Sequence, residues 1–217
     1  MADTQQLIFG YGSLVESQSR AAISPSALYA SPVNVIGLQR GWFGRLGGVS
    51  LSTTYLAAAP EPNSNCNGVV FKVSQQQLEA FDKHETGYKR EKIDQNNITM
   101  LDGSKSAVEG DIWFYTNTEK HLASPEFPIV QSYVDICVSG CLQIEAAYPL
   151  AKEAEFAETF LKTSTKWSKY WVNDRIYPRR AYVYQPNAER IDELIKKVLG
   201  EEIFSSIEIE PASWRWR

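Results

Sequence analysis

Two short stretches hold residue types that could do chemistry together. The first is Gly10-Tyr11-Gly12-Ser13-Leu14, which follows the apolar run Leu7-Ile8-Phe9. Glycines tolerate backbone angles closed to other residues and let a ligand approach the main chain. A strand that stops at such a turn and runs into a helix start leaves unpaired N–H groups converging on one spot. That spot suits a carboxylate, a phosphate or a developing oxyanion. The second stretch is Asp82-Lys83-His84-Glu85-Thr86-Gly87-Tyr88-Lys89-Arg90, where Glu85 falls near the C-terminal end of an expected helix. The helix dipole disfavours a carboxylate there, and partial burial would raise its pKa toward what a general base near neutrality needs. Each stretch has a plainer alternative: a tight turn between core elements, and a solvated glutamate before a helix stop. His84 adjoins Glu85, but neighbours on a helix point in different directions and no nucleophile motif accompanies it.

The elements that must position these residues follow from local pattern. Leu7–Phe9 reads as a strand buried on both faces, and Ser13–Arg20 as a helical opening with Ser13 as its cap. Residues 21–28 read as a short helix or loop. Val33–Arg40 is a second strand, extended or ended by Gly41–Arg45, and Gly47-Gly48 marks a turn. Thr53–Ala59 is a third strand, stopped by Pro60 and Pro62, with a polar loop over Glu61–Asn67 before a fourth strand, Gly68–Val73. Ser74 and Gln77 form a capping-box pattern for a helix that stops near Gly87. Tyr88–Met100 alternates as a strand with Tyr88, Arg90, Lys92 and Asp94 on one face. Asp102-Gly103 is a hairpin signal, and Ala107–Tyr115 is the returning strand.

From Ile129 the period changes to that of helices. Ile129–Ala147 is a long one, Pro149 interrupts it, Ala151–Lys162 resumes it, and Asn187–Leu199 is a last helix ended by Gly200. Trp167–Trp171 and Tyr177–Arg180 form an aromatic and basic cluster. It reads either as packing or as a ligand wall, with Tyr170, Trp171 and Arg179 the residues that would line a pocket. Trp214-Arg215-Trp216-Arg217 is a docked tail or a partner contact.

Bulk properties narrow the classes. The chain has 217 residues with 43% hydrophobic and 12% aromatic content, enough for a folded core. It fits one domain over residues 1–217, with a core over about 6–125 and a helical extension packed on it over about 126–217. A net charge of −4 argues against a nucleic-acid binder relying on a basic face. No apolar run approaches a membrane span, and the N-terminus lacks signal-peptide character, so a soluble cytoplasmic protein is expected. Cys66, Cys137 and Cys141 read as buried thiols, neither a disulfide framework nor a zinc set.

Phe9–Leu14, Gly37–Trp42, and the run Val70, Ser74, Leu78, Asp82, Glu85, Tyr88 and Arg90 together resemble the gamma-glutamyl cyclotransferase-like superfamily over roughly residues 6–115. The resemblance implies an α+β fold: a small mixed β-barrel or curled sheet with flanking helices, here carrying a helical C-terminal extension. It also implies a site. Tyr11, Gly12, Ser13 and Leu14, with Tyr88 and Arg90, would hold a γ-glutamyl group, and Glu85 would move protons. The substrate's α-amine would attack its own γ-carbonyl, releasing 5-oxoproline and an amine or amino acid, without metal or cofactor. The substrate, whether dipeptide, glutathione or amine, is left open, as is the oligomeric state. So is the turn's job, holding the α-carboxylate or the oxyanion. A non-catalytic binding or protein-interaction module on the same fold is the alternative.

Overall fold

β1 (Gln6–Gly10) lies at the centre of a seven-stranded sheet, hydrogen-bonded on both edges. The computed structural model describes residues 4–45, 52–85, 87–102, 104, 109–117, 119–179 and 187–210. The remaining strands of this sheet are β2 (Ser31–Gly44), β3 (Tyr55–Val73), β4 (Lys89–Ile93), β5 (Ile98–Met100), β6 (Asp111–Thr116) and a short β8 (Ser164–Thr165). The order is β4-β6-β1-β3-β2-β5, with β8 pairing β2. β1 runs parallel to β6 and antiparallel to β3, and β2 and β4 are antiparallel to β3 and β6 respectively. The C-terminal ends of β1, β2 and β6 therefore share one edge with the starts of β3 and β4. Leu7, Ile8 and Phe9 are almost fully buried, as a central strand covered on both faces requires.

The sheet is strongly curled. β4 and β2 stand far apart in strand order, yet a Cβ added to Gly44, the last residue of β2, would lie 2.6 Å from the Tyr88 hydroxyl just before β4. Only a sheet rolled into a half-barrel lets those two ends meet.

α1 (Ser17–Ile23) and α2 (Gln75–His84) flank the barrel. The capping box at Ser74 and Gln77 is formed in full. Ser13 does not cap α1: residues Ser13–Val15 make a 3-10 turn, and the buried Glu16 carboxylate caps α1 instead, accepting from the Ser19 N–H. A second 3-10 turn, Pro25–Leu28, fills the segment read as helix or loop.

Three strand expectations are corrected. The prolines do not end a strand, for β3 runs as one element from Tyr55 to Val73. Pro60 and Pro62 sit where its pairing with β2 jumps, from Ile36–Asn65 to Leu38–Pro60, opposite Gly37 at φ 86°. An exposed register break of this kind asks no ladder hydrogen bond of a proline. Tyr88–Met100 is not one strand, because a 3-10 turn at Gln95–Asn97, capped by Asp94, divides β4 from β5. Nor do β5 and β6 form a hairpin: β5 pairs with β2, while β6 pairs with β4 and β1. Gly47-Gly48, Gly103 and Trp214–Arg217 lie outside the described residues.

The C-terminal third is organised by α3 (Gln131–Ala147), which begins right after β7 (Ile129–Val130). Asp174 caps α3 from a distance, accepting from the Ser132 N–H at 2.7 Å and its hydroxyl at 2.6 Å. Pro149 opens α4 (Pro149–Glu153), where its missing N–H costs nothing. Glu155, in the left-handed region, separates α4 from α5 (Phe156–Thr163), so the expected 151–162 helix is broken. β9 (Trp171–Asn173) lies between β7 and β10 (Glu208–Ile209) in a three-stranded sheet. α6 (Ala188–Leu199) ends at Gly200 as expected but is not the last helix, since α7 (Glu201–Ser205) follows. Cys66, Cys137 and Cys141 are buried free thiols. Burial pushes Cys66 up to about 11 and raises Cys141 too. Among the described residues, no helix is long and apolar enough to cross a membrane.

Candidate functional site

The shared edge of the half-barrel brings the two chemical stretches together. At the end of β1 the chain folds back on itself: a Cβ at Gly10 would stand 2.8 Å from that of Leu14. The Val15 and Glu16 N–H groups close on the Gly12 and Ser13 carbonyls at 3.0 Å. The N–H groups of Gly12, Ser13 and Leu14 precede the first closed turn, so the turn itself offers them no acceptor. A Cβ at Gly12 would lie 2.9 Å from the Tyr133 hydroxyl, so only glycine lets α3 approach the turn this closely.

Two buried arginines hold the carbonyl side of this turn. Arg20 donates to the carbonyls of Leu14 and Val15, each at 2.8 Å, and to those of Ala27 and Leu28. Burial pulls its guanidinium down to about 10. Arg40 is 0% exposed and reaches the Tyr11 carbonyl at 3.3 Å and the Asn67 carbonyl at 2.6 Å. It also donates to Asn67 Oδ1, the Phe160 carbonyl and the hydroxyls of Thr163 and Ser164, lying 3.6 Å over the Phe160 ring. Burial lowers its pKa as well. With its carbonyls fixed from behind, the turn keeps its N–H groups in one arrangement.

Glu85 is the C-cap of α2, its own N–H bonded to the Phe81 carbonyl and its carbonyl accepting from Tyr88. Its carboxylate lies close enough to Tyr11, Tyr88 and Tyr115 to oppose ionisation of each. In all three, burial is the larger cause that holds the hydroxyl above its ordinary range. Tyr88 reaches across to Gly44 beside the Tyr55 carbonyl. Tyr11 donates to the Tyr115 carbonyl, tying the turn to the end of β6. Tyr115 donates to Asp82 at 2.9 Å, and Asp82 in turn receives Arg90 at 2.8 Å. Arg90 thus meets Asp82 and, at 4.9 Å, the Trp113 ring.

Of the residues singled out from the sequence, Tyr11, Glu85 and Tyr88 lie within electrostatic range of one another. Gly12, Ser13 and Leu14 form the turn, with the Leu14 side chain in the core. Trp171 is buried and stacks on Trp167 with ring centroids 5.0 Å apart. Trp167 leans on Trp42, which meets Tyr133, and Tyr133 meets Tyr55 edge-on at 5.1 Å. Trp171 therefore belongs to an aromatic layer whose other end touches the turn. The Tyr170 carbonyl bonds the Ile129 N–H. Arg179 pairs with Glu210 and donates to the Ser52 carbonyl. Arg20, Arg40, Gly44, Tyr55 and Tyr133 went unread in the sequence. A glycine closing a β-branched strand, as Gly44 does, is the one available signal, since it marks close approach of another group.

The chain belongs to the gamma-glutamyl cyclotransferase, AIG2-like family, whose model matches residues 8–130. The match ends where α3 begins. Among solved structures it is similar to one titled "Gamma-glutamyl cyclotransferase", at 17% identity and a TM-score of 0.54, over 89% of this chain and 99% of that one. An "uncharacterized protein" from Homo sapiens is similar at 17% identity and a TM-score of 0.55, with the same coverage. At these identities the likeness is one of fold. A search of curated proteins gave no match.

Proposed function

We propose that the protein is a γ-glutamyl cyclotransferase working without a cofactor, with Glu85 as the proton-transfer group. The observation that carries this reading is that Tyr11 is tied through Tyr115 to Asp82 on the helix that Glu85 ends, with the Glu85 carboxylate in electrostatic range of the Tyr11 hydroxyl. In the proposed reaction, Glu85 takes a proton from the substrate's α-ammonium. The freed lone pair attacks the γ-carbonyl carbon, forming the ring C–N bond and placing negative charge on the oxygen. Collapse of that adduct breaks the C–N bond to the leaving group, whose nitrogen receives the proton from Glu85. The ring nitrogen then sheds its remaining surplus proton through the same carboxylate. The products are 5-oxoproline and a free amine or amino acid.

Each step uses what the chain offers. A five-membered ring closes only when the substrate is held folded, so a buried turn and aromatic walls supply proximity. Turn N–H groups stabilise either the α-carboxylate or the oxyanion. The substrate is a small γ-glutamyl compound, and the C-terminal helices contribute Tyr133 to its surroundings.

The test is 5-oxoproline release from a panel of γ-glutamyl dipeptides, glutathione and γ-glutamyl amines. Glu85→Gln keeps size and a carbonyl but accepts no proton near neutrality. Its turnover should fall about 10²–10⁴-fold, the usual worth of acid–base catalysis. Glu91→Gln is the control, because Glu91 pairs with Lys89 at 3.0 Å on the outside of β4. Activity kept by Glu85→Gln, or lost equally in Glu91→Gln, would refute the assignment. No product from any substrate would favour a binding module.

A further inference from the structure

Among the described residues, Arg45 is the arginine without a settled partner. Arg90, Arg175, Arg179 and Arg190 each face a carboxylate. Arg20 and Arg40 are filled by carbonyls and other oxygens. Arg45 has one long bond, from Nη2 to the Leu122 carbonyl at 3.3 Å, and lies 3.7 Å over the Phe127 ring. Its Nε is buried with no acceptor. Beside it, Asn117 donates its amide to the Arg45 carbonyl at 3.2 Å, while its own Oδ1 is buried and unused. Buried polar atoms are seldom left unpaired, and here one donor and one acceptor are left side by side.

Their place in the fold gives the pair meaning. Arg45 follows Gly44, against which the Tyr88 hydroxyl rests, and Asn117 follows the end of β6. Both stand on the barrel edge that carries Glu85 and the turn. The turn approaches the end of β2 through β3: a Cβ at Gly12 would lie 3.6 Å from the Leu56 side chain, and the β2 partner of Leu56 is Trp42, three residues before Arg45. A γ-glutamyl dipeptide carries its second carboxylate on the leaving amino acid, beyond the γ-carbonyl that the folded glutamyl half presents. A ligand held at the turn by its γ-glutamyl half thus directs its far end toward β2.

Resting on the cyclotransferase reading, we infer that Arg45 receives a carboxylate on the leaving group, with Asn117 Oδ1 accepting an N–H of the same ligand. Arg45 is then the specificity residue, and it selects γ-glutamyl amino acids or peptides over γ-glutamyl amines. The fork of a guanidinium matches a carboxylate in geometry as well as in charge. Burial already lowers the Arg45 pKa, so an incoming anion also relieves a desolvated cation.

The test compares γ-glutamylalanine with γ-glutamylethylamine, which differ by that one carboxylate. The wild-type protein should favour the first in kcat/KM. In Arg45→Gln the preference should fall about tenfold to a hundredfold, the worth of one charge-assisted hydrogen bond, with most of the loss in KM. Arg45→Lys keeps the charge without the fork and should retain part of the preference. An unchanged ratio in both variants, or a wild-type preference for the amine, overturns the inference and leaves the cyclotransferase reading standing. Turnover of neither substrate by the wild-type protein counts against that reading itself, and the inference falls with it.

Discussion

Replacing Arg40 by methionine removes the group that joins the glycine turn, the β2–β3 hairpin and α5. The side chain is 0% exposed, so every bond it makes is inside the protein. Not all of its partners would suffer. Ser164 would still donate to the Phe160 carbonyl and Thr163 to the Thr159 carbonyl, both at 2.7 Å. The Asn67 carbonyl, Asn67 Oδ1 and the Tyr11 carbonyl would each lose the guanidinium donor. Three buried acceptors losing their donor, at about 1–3 kcal/mol each, cost about 3–9 kcal/mol. Against that, no carboxylate faces Arg40 among the described residues, and its lowered pKa records how strongly burial penalises the charge. Removing that penalty offsets part of the loss, as it does when a buried charge is exchanged for an apolar group.

The expected net loss is about 2–4 kcal/mol, which lowers Tm by about 5–15 °C for a chain of this length. A loss of that size leaves a typical fold populated at room temperature. Urea titrations followed by tryptophan fluorescence would measure it, since Trp42, Trp167 and Trp171 lie in one layer. Arg40→Lys should fall between the two, because an ammonium has three donors and no fork. Arg40→Met as stable as the wild type, or more so, would refute the claim that this guanidinium organises the turn. A stable Arg40→Met with a disabled 5-oxoproline assay would likewise separate the stability argument from the functional one.

Two further outcomes are expected. In Gly12→Val the added side chain meets the Tyr133 hydroxyl, since a Cβ alone would stand 2.9 Å from it, so binding of 5-oxoproline measured calorimetrically should be lost. Binding unchanged in a folded variant would remove the turn from the site, and Gly12→Ala with Tyr133→Phe, which frees that space, should recover part of the affinity. The Cys66 thiol, raised from 9.0 to about 11, keeps its proton longer in the folded than in the unfolded chain. The stability tied to its neutral burial is therefore full below 9 and is lost as pH rises through about 11. Urea midpoints should fall across that window, and alkylation near pH 8 should await unfolding. A cysteine-free variant showing the same fall would refute this origin for it.

What could be read from the sequence, and what could not, divides by the range of the interaction concerned. The capping box at Ser74 and Gln77 spans a single turn, so its pattern is complete in the local sequence. Glu85 follows from it, because a helix begun at Gln75 and stopped near Gly87 leaves only a few positions for its C-terminus. The same local reasoning failed at Pro60 and Pro62. It weighed each proline's missing donor without knowing that the β2 partner skips past Gly37 at that point. Arg40 was unreadable for a related reason. In a strand of alternating texture it looks like a residue on the solvent face, and it becomes buried only when α5 and β8, more than a hundred residues later, close over it.

The tyrosines of the site lie further still from any local signal. Tyr88 enters through the family resemblance, but its contact with Gly44 depends on the curl of the whole sheet. Tyr133 sits on a helix whose apolar spacing accounted for it as core, and it does pack on Trp42 and Tyr55. Only its hydroxyl, set against Gly12, reaches the turn. Glu85 and the glycine turn are thus each encoded within about a dozen consecutive residues, as caps and turns are. The surfaces that would choose a ligand come from strand ends and a helix far apart in the chain. Substitutions at Arg45, Asn117 and Tyr133 should accordingly alter which γ-glutamyl compound is used, while those at Glu85 and Gly12 alter whether any is.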